Sequence, residues 1–341
     1  MCSSDLACLQ ILINAGAEIN VSNLTGKTAL ILAASGGHSA CVHLLIEANA
    51  HLDVKGHRGD TALTESAFGG HVLCVQLLLD AKADVDVMND DDNTALMKAA
   101  NRGHRECMQV LIDAKADFDT RNKNTWTPLL AAARYGHDAC VRVLIHANAD
   151  PRVQTNKGSN ALILAAQEGH HNCARVLINA NVDVNTQNGL RKTALIVSAF
   201  GGYCTLARLL LDAKASLESR MQQEFTALLI ASYHGHNDYL RMLVDASADI
   251  NAEDDGGYNA LMVASQRGHI DCARTLIAAG VSIEKRGKNG HTALILAANY
   301  GHAEFLRILI DAKANLEARE YYDNTALIIA ARFGHTKCVE Y

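Results

Sequence analysis

Two prolines and one tryptophan are all that 341 residues contain of either, and aromatic side chains make up only 5%. So few rings argue against a sheet sandwich. The alanine and leucine that fill their place favour small-residue packing of helices. A strong excess of one charge is also missing: 31 basic against 37 acidic residues leave a net charge of −6. That balance gives no bulk attraction for nucleic acid or an anionic lipid surface. No apolar run reaches the roughly 18 residues that would suggest a membrane span. The opening MCSSDLACLQ lacks the basic and apolar regions of a secretory signal. Direct membrane insertion is therefore not expected. Ten cysteines are present, but in no paired spacing. This suggests a reducing intracellular compartment, with the cytoplasm the first expectation.

The chain has a period instead. Thr-Ala-Leu or its equivalent starts at Thr28, Thr61, Thr94, Thr127, Asn160, Thr193, Thr226, Asn259, Thr292 and Thr325. Every interval is 33 residues, without insertion or deletion. The shared pattern is T-A-L-x-x-A-A-x-x-G-H-x-x-C-x-x-x-L-I-x-A-x-A. Length alone allows two domains, but a repeat this short cannot bury its apolar face by itself, so neighbours must stack.

Local chemistry explains the pattern. Thr or Asn at each start is a good helix N-cap, its side-chain oxygen accepting from an exposed N–H of the first turn. Counting that residue as position 0, Leu at 2, Ala at 5 and 6 and Gly at 9 share one face of a short helix. The alanines keep that face thin. Gly-His ends the first helix, and a second helix runs from about position 11 to 20 with Cys, Val or Ala, Leu and Ile inward. A polar stretch then leads to the next cap.

A 33-residue period with this pattern resembles the ankyrin repeat, over essentially the whole chain. The resemblance implies an all-α repeat solenoid of stacked helix-turn-helix units with β-turn fingers. It also implies one domain over residues 1–341: a partial repeat at 1–27, nine full repeats at 28–324 and a truncated one at 325–341. Neither end reads as a polar capping repeat, so the chain is expected to be part of a longer protein or to have its ends covered.

Three departures from the family pattern stand out. The family's T-P-L-H has become T-A-L, with proline kept only at Pro128. Position 21, where the family places Gly, holds Lys82, Lys115, Lys214 and Lys313, or Asn49, Asn148 and Asn181, with Gly280 the full-repeat exception. If the backbone there is left-handed, each Lys costs on the order of 1 kcal/mol. Position 4 carries Glu65 and Lys98 in adjacent repeats, which predicts an ion pair between them.

Catalytic and metal signatures read as framework. H-x-x-C recurs seven times, from His38/Cys41 to His335/Cys338. A site needs a unique convergence of groups, whereas these recur with the repeat. The His can bond backbone at the turn, and the Cys serves as a small apolar residue. Equivalent sulfurs about one helix-packing distance apart cannot cross-link. Asp90-Asp91-Asp92 lacks the Gly and terminal Glu of a calcium loop. No phosphate loop, dinucleotide fingerprint, nucleophile elbow or zincin motif occurs. No enzyme activity, metal or cofactor is expected.

Function should then lie where the repeats differ. The resemblance places five positions per repeat on a concave groove: −4, −3 and −1 on the finger, 7 and 8 at the end of the first helix. Those 50 residues include 11 aromatics, against five in the remaining 291. They are Phe68, Trp126, Tyr135, Phe200, Phe225, Tyr233, Tyr258, Tyr300, Tyr321, Tyr322 and Phe333. Positions 2, 5, 6, 13 and 17, which a core would use, read instead as Leu, Ala, Cys and Ile. Surface aromatics with Arg are what protein interfaces concentrate. Arg102, Arg134 and Arg267 therefore join the candidate partner-binding residues.

Ten basic against five acidic groove residues make this surface mildly positive, suited to an acidic or mixed-charge segment of another protein. Nucleic acid would call for a denser basic stripe. The expected function is a non-catalytic interaction scaffold, with Trp126, Arg134 and Tyr135 as its first hot spot. The alternatives are a structural subunit of a large assembly and the recognition arm of a longer enzyme or channel.

Overall fold

The computed structural model describes the backbone of residues 3–339 and the side chains of residues 6–339. The outermost residues of the partial and truncated repeats, 1–2 and 340–341, lie outside it. The described residues form 21 α-helices and two single 3-10 turns, His57–Gly59 and Gln222–Glu224. The one β-type pairing among them is an isolated bridge between Gln154 and Asn160. The chain divides into two compact units, residues 1–165 with 172–182, and residues 166–171 with 183–341.

In the first unit the helices Ala29–Ser35, Ala62–Gly69, Ala95–Arg102 and Pro128–Arg134 pack side by side. A second layer is built from Ser39–Glu47, Val72–Asp80, Arg105–Asp113 and Asp138–His146. The second unit repeats this with the first helices Ala194–Gly201, Ala227–His234, Ala260–Arg267, Ala293–Tyr300 and Ala326–Phe333. All ten caps form as the sequence requires. Each Thr oxygen accepts from the N–H three residues on, as do Asn160 at 2.9 Å and Asn259 at 3.0 Å. Alanines at positions 5 and 6, such as Ala99, Ala100, Ala132 and Ala133, are fully buried where first helices meet. Leu45, Leu78, Leu111 and Leu144 fill the space between the two layers.

The Gly-His step has two functions. Gly70 is left-handed at φ 74°, and a Cβ there would lie 2.6 Å from the His104 ring of the next repeat. The ring's Nε2 bonds a carbonyl 36 residues back: His71 to Ser35, His104 to Phe68 and His137 to Asn101, at 3.0–3.1 Å. In the second unit His236, His269, His302 and His335 do the same. A carbonyl only accepts, so Nε2 carries the proton. These bonds link successive repeats.

The cysteines are packing residues. Cys74, Cys107, Cys140, Cys173 and Cys272 are buried free thiols. Burial pushes Cys107 up to about 11 and Cys140 to about 12, which suppresses the reactive thiolate. The aromatic-free core expected from the sequence needs correction: Tyr239 and Phe305 take the Cys position and are the largest fully buried side chains. Tyr239 is accommodated because its hydroxyl donates to the Leu195 carbonyl at 2.8 Å and lies 2.7 Å from Ser198 Oγ.

Position 21 is left-handed in every full repeat, at φ 72° for Lys82, 63° for Asn49 and 84° for Gly280, with Ser247 as a further case at 68°. The expected Glu65–Lys98 ion pair does not form. Glu65 pairs with Lys27 at 2.7 Å, and Lys98 with Asp60 at 3.0 Å. Side chains lean toward the N-terminus of their helix. Position 4 therefore reaches the finger stem of the preceding repeat, 38 residues back, and both stems hold the opposite charge.

Candidate functional site

The fingers are stitched to one another by backbone. Asp90 N–H donates to the Arg58 carbonyl at 2.9 Å and Lys123 N–H to that of Asp91 at 3.2 Å. Each tip is closed by a side chain: Asn89 Oδ1 accepts from the N–H groups of Asp91 and Asn93. Finger stems and the ends of first helices then form one face of each unit, and the variable side chains stand on it.

In the first unit, Phe68 is half-buried beneath two cations. The Arg102 guanidinium lies 4.2 Å from the ring centroid and Lys98 Nζ 5.4 Å. Lys98 in turn contacts the buried carboxylate of Asp60, which also accepts from Asn89 at 2.9 Å. Trp126 is half-buried, its backbone N–H donating to Asn122 Oδ1 at 3.0 Å, and Tyr135 is 54% exposed. These two rings share an open slot of about 320 Å³. Arg134 is half-buried and held by a contact within the protein.

In the second unit, Phe200 lies under Lys192 at 4.4 Å and 5.3 Å from the ring of His234. Burial lowers the Lys192 pKa. Arg267 covers Tyr233 at 3.9 Å. The Tyr258 hydroxyl is 3.0 Å from His291 Nδ1, and Gln266 donates to the hydroxyl of Tyr300 at 3.0 Å. Phe225 is half-buried and makes none of these ring contacts. Tyr321 and Tyr322 meet edge to face at 5.5 Å and are 80% and 79% exposed. With Phe333 and Arg332 they line a cleft of about 480 Å³.

The singled-out residues therefore do not form one uniform row of free anchors. Phe68 with Arg102, and Tyr233 with Arg267, are already stacked on each other. The rule is a spacing of 34: position 7 of one repeat meets position 8 of the next. Sequence reading missed Lys98, Lys192, His234 and Gln266 as partners of rings, and the asparagines around Trp126. The 33-residue period plus one residue of helical offset could have revealed these pairs.

A family profile described as ankyrin repeats (3 copies) matches residues 1–89, 81–155, 139–221, 213–286 and 279–341. The chain belongs to the ankyrin-repeat family. Among solved structures it is similar to the human ASB11 ankyrin repeat domain, at 25% identity and a TM-score of 0.56. That likeness covers 60% of this chain and 92% of that one. No curated protein sequence matches it. Ankyrin repeats are in general protein–protein interaction modules and non-catalytic. No helix among the described residues is long and apolar enough to cross a membrane.

Proposed function

We propose that the chain is a non-catalytic scaffold that binds another protein across its finger stems and first-helix ends. One observation carries this reading: the framework recurs every 33 residues, while 11 of 16 aromatics fall on the five variable positions of that face. Interfaces draw their binding energy from such rings and from Arg. Tyr135, Tyr300, Tyr321, Tyr322 and Phe333 are exposed on that face. Trp126, Phe225, Tyr258 and Arg134 are half-buried beside them, while Phe68, Phe200 and Tyr233 act together with their cations. The mild positive excess favours an acidic or mixed-charge segment of the partner. Buried, unpaired thiols are consistent with a reducing compartment. Alanine at Trp126, Tyr135 and Phe200 should abolish partner capture, read by affinity purification with mass spectrometry. Unchanged capture by that folded triple variant would remove the proposal.

A further inference from the structure

At several repeat junctions the groove slot between position 7 and position 8 of the next repeat is filled from within. Phe68 and Arg102 fill one such slot, and Tyr233 and Arg267 another. Where position 7 is Asn101, nothing fills it: the slot between Asn101 and Tyr135 is an open pocket with Trp126 as its other aromatic wall. The corresponding cleft at Asn299 and Phe333 is also open, but Lys288, Glu320 and Arg332 charge it. The Trp126 slot has no charged residue in its lining.

Its polar side chains are the carboxamides of Asn93, Asn101, Asn122 and Asn124 and the hydroxyls of Tyr135 and of Thr127, which caps its own helix. Asn122 is engaged, its Nδ2 donating to Asn93 Oδ1 at 2.9 Å and its Oδ1 accepting from the backbone N–H groups of Asn124 and Trp126. The exposed side chains of Asn101 and Asn124 make no hydrogen bond among the described residues, so each offers a donor beside an acceptor. A peptide unit presents the complementary pair, and an extended segment leaves such groups free for a partner. A charged side chain entering between Trp126 and Tyr135 would lose its water and gain no counter-charge, whereas an apolar one gains burial against two rings.

We infer that the Trp126–Tyr135 slot recognises an extended peptide segment carrying an uncharged apolar side chain, its backbone held by Asn101 and Asn124. This rests on the finger and first-helix face being the binding surface, and it narrows the acidic or mixed-charge partner to one with a neutral residue at this point.

The test uses the full chain and a phage-displayed library of random peptides, with tryptophan-free versions of the enriched sequences then synthesised. Trp126 is the chain's only tryptophan, so its emission reports this slot alone. The expected result is a consensus with one required apolar residue, and binding that shifts Trp126 emission. Affinity should fall at least about tenfold in Tyr135→Ala and in Asn101→Ala, and on replacing the apolar residue by Asp or Lys. Both substituted side chains are exposed, and an unchanged thermal melt certifies each variant. Three results overturn the slot: no enriched peptide, a consensus with no required apolar residue, or binding that leaves emission unchanged. In the last case, peptides lost with Arg267→Ala or Tyr322→Ala leave the surface reading standing. Peptides indifferent to these and lost with Leu73→Ala on a second helix overturn both.

Discussion

Ser232 carries the one described buried side-chain oxygen without a hydrogen-bond partner, at a position where eight of the ten repeats have Ala. Ser265, the other exception, donates to the Ala293 carbonyl. Ser232→Ala should therefore leave stability unchanged or raise it by up to about 1 kcal/mol, while Ser265→Ala should cost about 1 kcal/mol, read by urea denaturation. Lys82 offers a second test of this kind. Its left-handed backbone was foreseeable from the slot it fills, because the family's Gly marks that conformation. Lys82→Gly should gain roughly 0.5–1 kcal/mol; a loss would show that the left-handed turn is not strained. The ion pairs were less legible. Matching positions in adjacent repeats suggested Glu65 with Lys98, but the lean of helical side chains sets the pairing one finger back. Double-mutant cycles should find coupling of about 0.5–1 kcal/mol for Asp60 with Lys98, and none for Glu65 with Lys98.

Helices and caps were readable because each rests on a local rule: an oxygen-bearing cap, a left-handed Gly and an apolar face. The histidine that follows the first helix in nine of the ten repeats, with Tyr203 the exception, acts between elements, and its effect appears only when repeats are stacked. In the second unit, burial lowers the pKa of His234 and His269, with His236 adding to the first and Arg267 to the second. Burial also lowers His291, against the opposing pull of Glu320. These rings fold neutral. Their contribution is fully present above the unfolded pKa of about 6.5 and is lost as pH falls through it toward the depressed folded values. Thermal melts should show lower stability at pH 5.5 than at pH 7.5, and His269→Asn should flatten part of that slope. A melt equally stable at both values would contradict the neutral-ring assignment. Tyr239 shows the limit of pattern reading: a position that is Cys in seven of the ten repeats hosts a buried phenol, because Ser198 and the Leu195 carbonyl meet its hydroxyl. Tyr239→Phe should cost about 1–2 kcal/mol by denaturant titration.

For the whole molecule, the 33-residue period made the family legible without a structure, and the variable positions were an expectation that the family resemblance supplied. What it concealed was which rings are already in use, since cation and ring pairs join residues 34 apart in different repeats. Trp126 and Tyr135 stay open because Asn101 is too short to cover them, a fact of side-chain size at one junction. The central claim is that partners bind this face. Its most direct measurement is site-specific photo-crosslinking, with the reactive group placed at Tyr135 and Tyr300 on the finger side and at Leu73 and Gln76 on a second helix. We expect one partner set to be captured from Tyr135 and Tyr300 and lost when Trp126 is replaced by Ala in the Tyr135 probe. The same partners captured equally from Leu73 and Gln76, with none specific to the finger side, would contradict it.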